Sequence, residues 1–165
     1  MARWPRLRLL AMRLAAASLV FSQAAAAGAT CNVTPFVALH RPVDLDVTAA
    51  FGMRVHPLLG RQALHSGVDF AGPLGTPVRS ASTGVVVTAA YQGGNGNLVV
   101  LRHGDVFSTS YAHLARIDVK VGDCITAGQL LGRLGTTGLS SAPHLHFEVW
   151  KDDQAIDPAP MLLAQ

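Results

Sequence analysis

The sequence predicts a mainly β domain made of antiparallel hairpins, and three observations carry that prediction. Short β-rich runs, Thr83–Ala90, Asn97–Arg102 and Phe107–Tyr111, follow at close intervals, separated by turns containing glycine, asparagine or proline. The segment His144–Val149 alternates between polar residues (His144, His146, Glu148) and apolar ones (Leu145, Phe147, Val149), the period of a half-buried strand. Beyond residue 27 no strong amphipathic helical pattern appears.

Taken in order, the chain opens with Arg3, Arg6, Arg8 and Arg13, then the apolar run Leu14–Phe21 and Ala24–Ala27. This is the pattern of a secretory signal peptide over residues 1–27, cleaved near Ala27–Gly28. The apolar run is shorter than the roughly 20 residues that span a bilayer, so no membrane span is expected after cleavage. Residues 28–46, with Pro35 and Pro42 and no periodicity, read as an N-terminal arm or linker. The domain is expected over 47–160, and 165 residues suit one core. Within it, Gly93–Gly96 reads as a tight turn needing positive φ, because no helix pattern follows that would make it a phosphate loop. Val119–Leu131 has the strand–turn–strand rhythm of small barrel-sandwich domains. Biotinyl and lipoyl carriers share that rhythm, but Lys120 and Lys151, the only lysines, do not sit at a hairpin tip as a modified lysine would.

Charge and cysteines narrow the partners. Without residues 1–27 the chain keeps nine basic and ten acidic residues, a formal charge of −1, so the basic pI belongs to the leader. Phosphate binding needs a surplus of Lys and Arg on the folded domain, and nucleic acid is therefore not an expected partner. Cys31 and Cys124 would meet an oxidising compartment after export, which makes them candidates for a disulfide; their sequence positions alone do not say whether the sulfurs meet.

Two imidazoles and a carboxylate on one strand face are what a hydrolytic metal site uses, since such zinc sites take three His or carboxylate ligands and leave a fourth position open. A second cluster, His65-Ser66-Gly67-Val68-Asp69, places an imidazole and a carboxylate where either a helical or an extended backbone lets them converge. A third, Tyr111-Ala112-His113-Leu114, puts Tyr111 and His113 on one strand face by period two.

Phe51–Pro57 (FGMRVHP), His65–Asp69, Tyr111–Leu114 and Pro143–Glu148 together resemble, in order, the blocks of the lysostaphin and LytM-type zinc metalloendopeptidases that cut peptidoglycan cross-bridges. The resemblance runs from about Val47 to Pro158. It implies antiparallel sheets around an open substrate groove and one zinc ion held by His65, Asp69 and His146. His113 and His144 are then the catalytic histidines beside the attacking water, one as general base and one at the oxyanion, without a sequence basis for saying which. Glu148 is expected to orient a ligand imidazole, or else to be an exposed strand carboxylate. Tyr111 would support the oxyanion, orient His113, or simply pack. Arg54 would contact a substrate carboxylate or, the favoured role, hold the loop before His65. His40, His56 and His103 are not assigned to zinc. One departure stands at Ala142, where the family usually has glycine before the proline.

The implied activity is endopeptidase cleavage of peptidoglycan stem-peptide cross-links by a periplasmic or secreted enzyme. The alanine-rich leader favours a Gram-negative periplasm and hence a D-Ala–diaminopimelate link over a glycine bridge. The rival reading is a catalytically silent module that activates other cell-wall hydrolases. Such modules lack one or more of the three ligands, all of which are present here. A regulatory protein partner is left open.

Overall fold

The computed structural model describes residue 31, residues 39–55 and residues 60–163. The expected signal peptide, most of the arm before Leu39, and His56 lie outside these residues. The described chain forms twelve strands: β1 (Gly52–Val55), β2 (Gln62–His65), β3 (Val68–Ala71), β4 (Pro77–Arg79), β5 (Gly84–Tyr91), β6 (Asn97–His103), β7 (Phe107–Leu114), β8 (Arg116–Ile117), β9 (Cys124–Ile125), β10 (Leu130–Arg133), β11 (His144–Lys151) and β12 (Gln154–Ile156). Helical structure among the described residues amounts to two single 3₁₀ turns, Gly93–Asn95 and Ala159–Met161.

Seven strands form the main antiparallel sheet in the order β12-β11-β7-β6-β5-β9, with β3 paired to β11. A smaller sheet, β4-β10-β8, and the β1-β2 hairpin complete the architecture. The β5-β6 connection is the glycine turn expected from sequence: Gly93 and Gly96 sit at φ 47° and 63°, where a side chain would be strained.

The alternation along β11 settles which face is core. Leu145, Phe147 and Val149 are fully buried, and they meet Val68 and Phe70 of β3, Tyr111 of β7 and Val99 and Leu101 of β6. Burying each such side chain contributes about 1.5–3 kcal/mol, so this face holds β11 against its neighbours and leaves the opposite face for polar groups. Leu39 and Val43, read from sequence as part of an arm, are buried in the same core, and Leu39 bridges Leu162 near the other end. Cys31 is disulfide-bonded to Cys124 at the start of β9, with Cα atoms 5.6 Å apart.

A buried polar chain lies away from the groove. His103 Nδ1 is 2.7 Å from the Thr83 carbonyl, and its Nε2 is 2.8 Å from Thr109 Oγ1, which in turn is 3.0 Å from Tyr111 Oη. Burial pushes the His103 pKa below its ordinary value, against the opposing hydrogen bond to Thr83. The unfolded chain therefore binds this proton at higher pH than the folded one, and the contribution is present above the unfolded value of about 6.5 and lost as pH falls below it. The urea midpoint is expected to drop between pH 7 and 5, and the drop to be smaller in His103→Gln; equal slopes would remove His103 from the account.

Candidate metal centre and groove

The centre is built where β3, β11 and the end of β2 meet. His146 and Asp69 are direct cross-strand partners in the β11–β3 register, so their side chains leave the sheet on the same face. His65 ends β2 and reaches the same point because the chain turns at Ser66-Gly67 and passes hard against β11. A Cβ on Gly67 would lie 2.2 Å from the Phe147 carbonyl oxygen, an approach that only glycine permits.

The result is a convergence of three buried ligand atoms. His65 Nε2 is 3.0 Å from Asp69 Oδ1, His146 Nδ1 is 2.8 Å from the same oxygen, and the two nitrogens are 3.1 Å apart. Atoms bound at 2.0–2.2 Å around a tetrahedral zinc stand roughly 3.3–3.5 Å apart, a few tenths of an ångström more than here. The outer nitrogens are already committed: His65 Nδ1 is 2.7 Å from the Ala50 carbonyl, and His146 Nε2 is 3.0 Å from Glu148 Oε1. These outer acceptors favour the tautomer a metal ligand needs, in which each imidazole would donate outward and turn its other nitrogen to the ion. Donor set, spacing and orientation all fit zinc.

Glu148 is buried, which excludes the exposed-carboxylate alternative. It accepts hydrogen bonds from His146, from the Ser66 hydroxyl and, through Oε2 at 2.8 Å, from the Trp150 indole. Burial alone would raise its pKa, but these three donors outweigh burial and lower it. Asp69 behaves alike: burial raises it, and the hydrogen bonds and charges of His146 and His65 carry it far below the usual carboxylate range. Burial disfavours charge on His146, yet its bonds to Asp69 and Glu148 lift its pKa to about 9. The cluster is an anionic pocket that attracts a cation, whether proton or metal.

His113 and His144 stand next to one another over this centre, ring centroids 4.6 Å apart. His144 Nδ1 is 2.8 Å from the Ala142 carbonyl and 3.3 Å from Ser140 Oγ, while its Nε2 lies 3.9 Å from Asp69 Oδ1. His113 donates from Nδ1 to the Thr137 carbonyl at 2.8 Å. Burial, with the neighbouring His144 and His146 charges, brings the His113 pKa down to about 4 against the pull of that bond. Its other nitrogen is therefore a bare acceptor at neutral pH.

Period two put Tyr111 and His113 on one face, and the structure corrects this. Between the pairs Val99↔Tyr111 and Asn97↔Leu114 β7 advances one residue more than β6, and His113 has φ 60°. This bulge re-aims His113 into the groove. Tyr111 stays on the core face, fully buried, its ring 5.3 Å from Phe147 and its hydroxyl accepting the Ala81 N–H at 2.8 Å. Tyr111 packs; it neither touches the oxyanion position nor orients His113. Arg54 reaches the centre, with Nη2 3.2 Å from Asp69 Oδ2, while residues 56–59 of the loop before His65 lie outside the described residues. His103 is buried elsewhere, and His40 is exposed outside the groove.

A groove of about 430 Å³ runs over the centre, walled by the β1-β2 hairpin on one side and by Gly94, Asn95 and Leu139–Pro143 on the other. Ala142 does not have positive φ, so alanine replaces the family glycine without backbone strain. Sequence reasoning missed Ser66 and Trp150. Trp150 was recoverable, because it follows Glu148 by two residues on the same strand; the carbonyls of Ala50, Thr137 and Ala142 carry no residue signature.

Comparison with known proteins agrees with this geometry. The chain is 44% identical over 112 residues to the peptidoglycan DD-endopeptidase ShyC of Vibrio cholerae, covering 67% of this chain and 26% of that protein. A zinc-containing peptidase from Vibrio cholerae superposes with TM-score 0.69 at 39% identity, over 73% of this chain and 39% of that one. The catalytic domain of lysostaphin from Staphylococcus simulans does so with TM-score 0.65 at 38% identity, over 70% of this chain and 90% of that one. The chain spans about a quarter of the length of the curated relatives it matches. Residues 63–158 match Peptidase family M23, a span that takes in His65, Asp69, His113, His144 and His146, and the chain belongs to that family.

Proposed function

We propose that the chain is a zinc-dependent endopeptidase that hydrolyses the peptide cross-links of bacterial peptidoglycan, acting outside the cytoplasm after loss of residues 1–27. The carrying observation is the convergence of His65 Nε2, Asp69 Oδ1 and His146 Nδ1 beneath His113 and His144 in an open groove. These three residues would hold a single zinc ion. When bound, zinc supplies a Lewis acid that acidifies water and polarises a carbonyl. The chain's own residues do the rest. His113 and His144 are anchored through Nδ1 and leave Nε2 for proton transfer: one accepts the proton of the attacking water, and the other, once protonated, donates to the developing oxyanion. The groove over the centre, about 430 Å³ and partly polar, would receive the stem peptide. A catalytically silent binding module is disfavoured by the completeness of this set.

The bond we assign is D-alanyl–diaminopimelate, in keeping with the DD-endopeptidase name of the Vibrio cholerae relative. The test is digestion of two purified peptidoglycans, one cross-linked directly through diaminopimelate and one through glycine bridges, with the products weighed by mass spectrometry. Diaminopimelate dimers should become monomers while glycine bridges persist; the reverse pattern would refute the assignment.

Glu148 holds His146 through a bond that also sharpens its basicity as a ligand. Glu148→Ala is expected to weaken zinc binding about 10–100-fold, read by competition with a chromophoric chelator. Unchanged affinity would show that the Glu148–His146 bond does not serve the metal.

A further inference from the structure

Arg54 is, among the described residues, the one lysine or arginine lining the groove. It sits on the inner face of the β1-β2 hairpin with its side chain 35% exposed, and its one hydrogen bond among these residues joins Nη2 to Asp69 Oδ2 at 3.2 Å. A guanidinium carries five N–H donors in a planar fork, and among the described residues one of them is committed, on a side chain that lines the groove. The acidic groups of the groove wall offer no further partner. Asp69 is shared by His65, His146 and Arg54 itself, and Glu148 is taken by His146, Ser66 and Trp150.

We infer that Arg54 binds a free carboxylate on the substrate next to the scissile amide, and so selects cross-links made through a carboxylate-bearing diamino acid over glycine bridges. This rests on the endopeptidase reading above. Asp69 turns Oδ1 to the two imidazoles and Oδ2 to Arg54, so the guanidinium stands on the far side of one carboxylate from the point where the three ligand atoms converge, at the edge of the same groove. In an amide between D-alanine and the side-chain amine of diaminopimelate, the free carboxylate hangs on the carbon bonded to the scissile nitrogen. It is three bonds from the carbonyl carbon, on the order of 3–4 Å away. That is within reach of a fork whose geometry suits bidentate carboxylate binding. Inside a glycine bridge every carboxyl is consumed in an amide, and Arg54 would have nothing to hold.

The test uses two dimeric muropeptides that differ only at that carboxylate, free in one and amidated in the other. Zinc content and kcat/KM are measured for the wild-type chain, Arg54→Lys and Arg54→Gln. The wild type should prefer the free acid about 10–100-fold, the range for hydrogen bonds to a charged group. Arg54→Gln should bring the ratio to about one, with Arg54→Lys between them. An unselective wild type, or a ratio unchanged in zinc-loaded Arg54→Gln while both rates fall, would overturn the inference and leave Arg54 as a support for Asp69. Cleavage of neither dimer by the zinc-loaded wild type would instead refute the endopeptidase reading.

Discussion

His146→Ala should lose both zinc and peptidoglycan cleavage. The side chain supplies one of three ligand atoms and is also the donor that joins Asp69 to Glu148, at 2.8 and 3.0 Å. A metal Lewis acid contributes several kcal/mol to the transition state, and each 1.4 kcal/mol is tenfold in rate, so a loss of about 10³-fold or more is expected. Removing the imidazole leaves two buried carboxylates without their shared partner, a change that costs about 3–5 kcal/mol when a buried pair is broken. His146→Gln keeps a polar group in the cavity and separates lost chemistry from lost folding. Zinc content by elemental analysis, alongside cleavage of a muropeptide dimer, checks both. A variant that binds no zinc yet cleaves at the wild-type rate would remove His146 from the centre.

The second large effect is expected at His113, with the opposite signature for the metal. His113→Ala should keep zinc, because its ring stands 6.0 Å from that of His146 and the three ligand atoms do not depend on it. The rate should fall by about 10²–10⁴-fold, the usual contribution of a positioned general acid or base. The fall should appear in kcat more than in KM, as the proposed proton-transfer role requires. Loss of zinc from this variant would mean that His113 holds the centre together and is not a proton-transfer group.

How far the sequence could be read depends on where the backbone stays regular. Along β11 period two holds without interruption, so His144, His146 and Glu148 were legible on one face and Leu145, Phe147 and Val149 on the other. The pairing of His65 with Asp69 was legible too, since Gly67 lets the chain double back within five residues. At His113 the same rule fails. The bulge and a left-handed φ invert the alternation, so the period-two reading that singled out Tyr111 and His113 together put them on one face, where the structure separates them. Leu39 and Val43 were missed as core because two residues that pack against separate elements show no period of their own. The anchors of His65 and His113 were invisible, being backbone carbonyls that any residue would offer.

If this convergence of imidazoles and a carboxylate is a zinc centre that cuts peptide cross-links, cleavage must follow the metal. The most direct measurement strips the chain of metal with a chelator, adds back one equivalent of zinc, and follows a purified muropeptide dimer by mass before and after. The stripped chain should convert nothing, and monomer formation should recover at one zinc per chain. Equal conversion with and without metal, or none by a folded chain carrying its zinc, would contradict the zinc-centre reading.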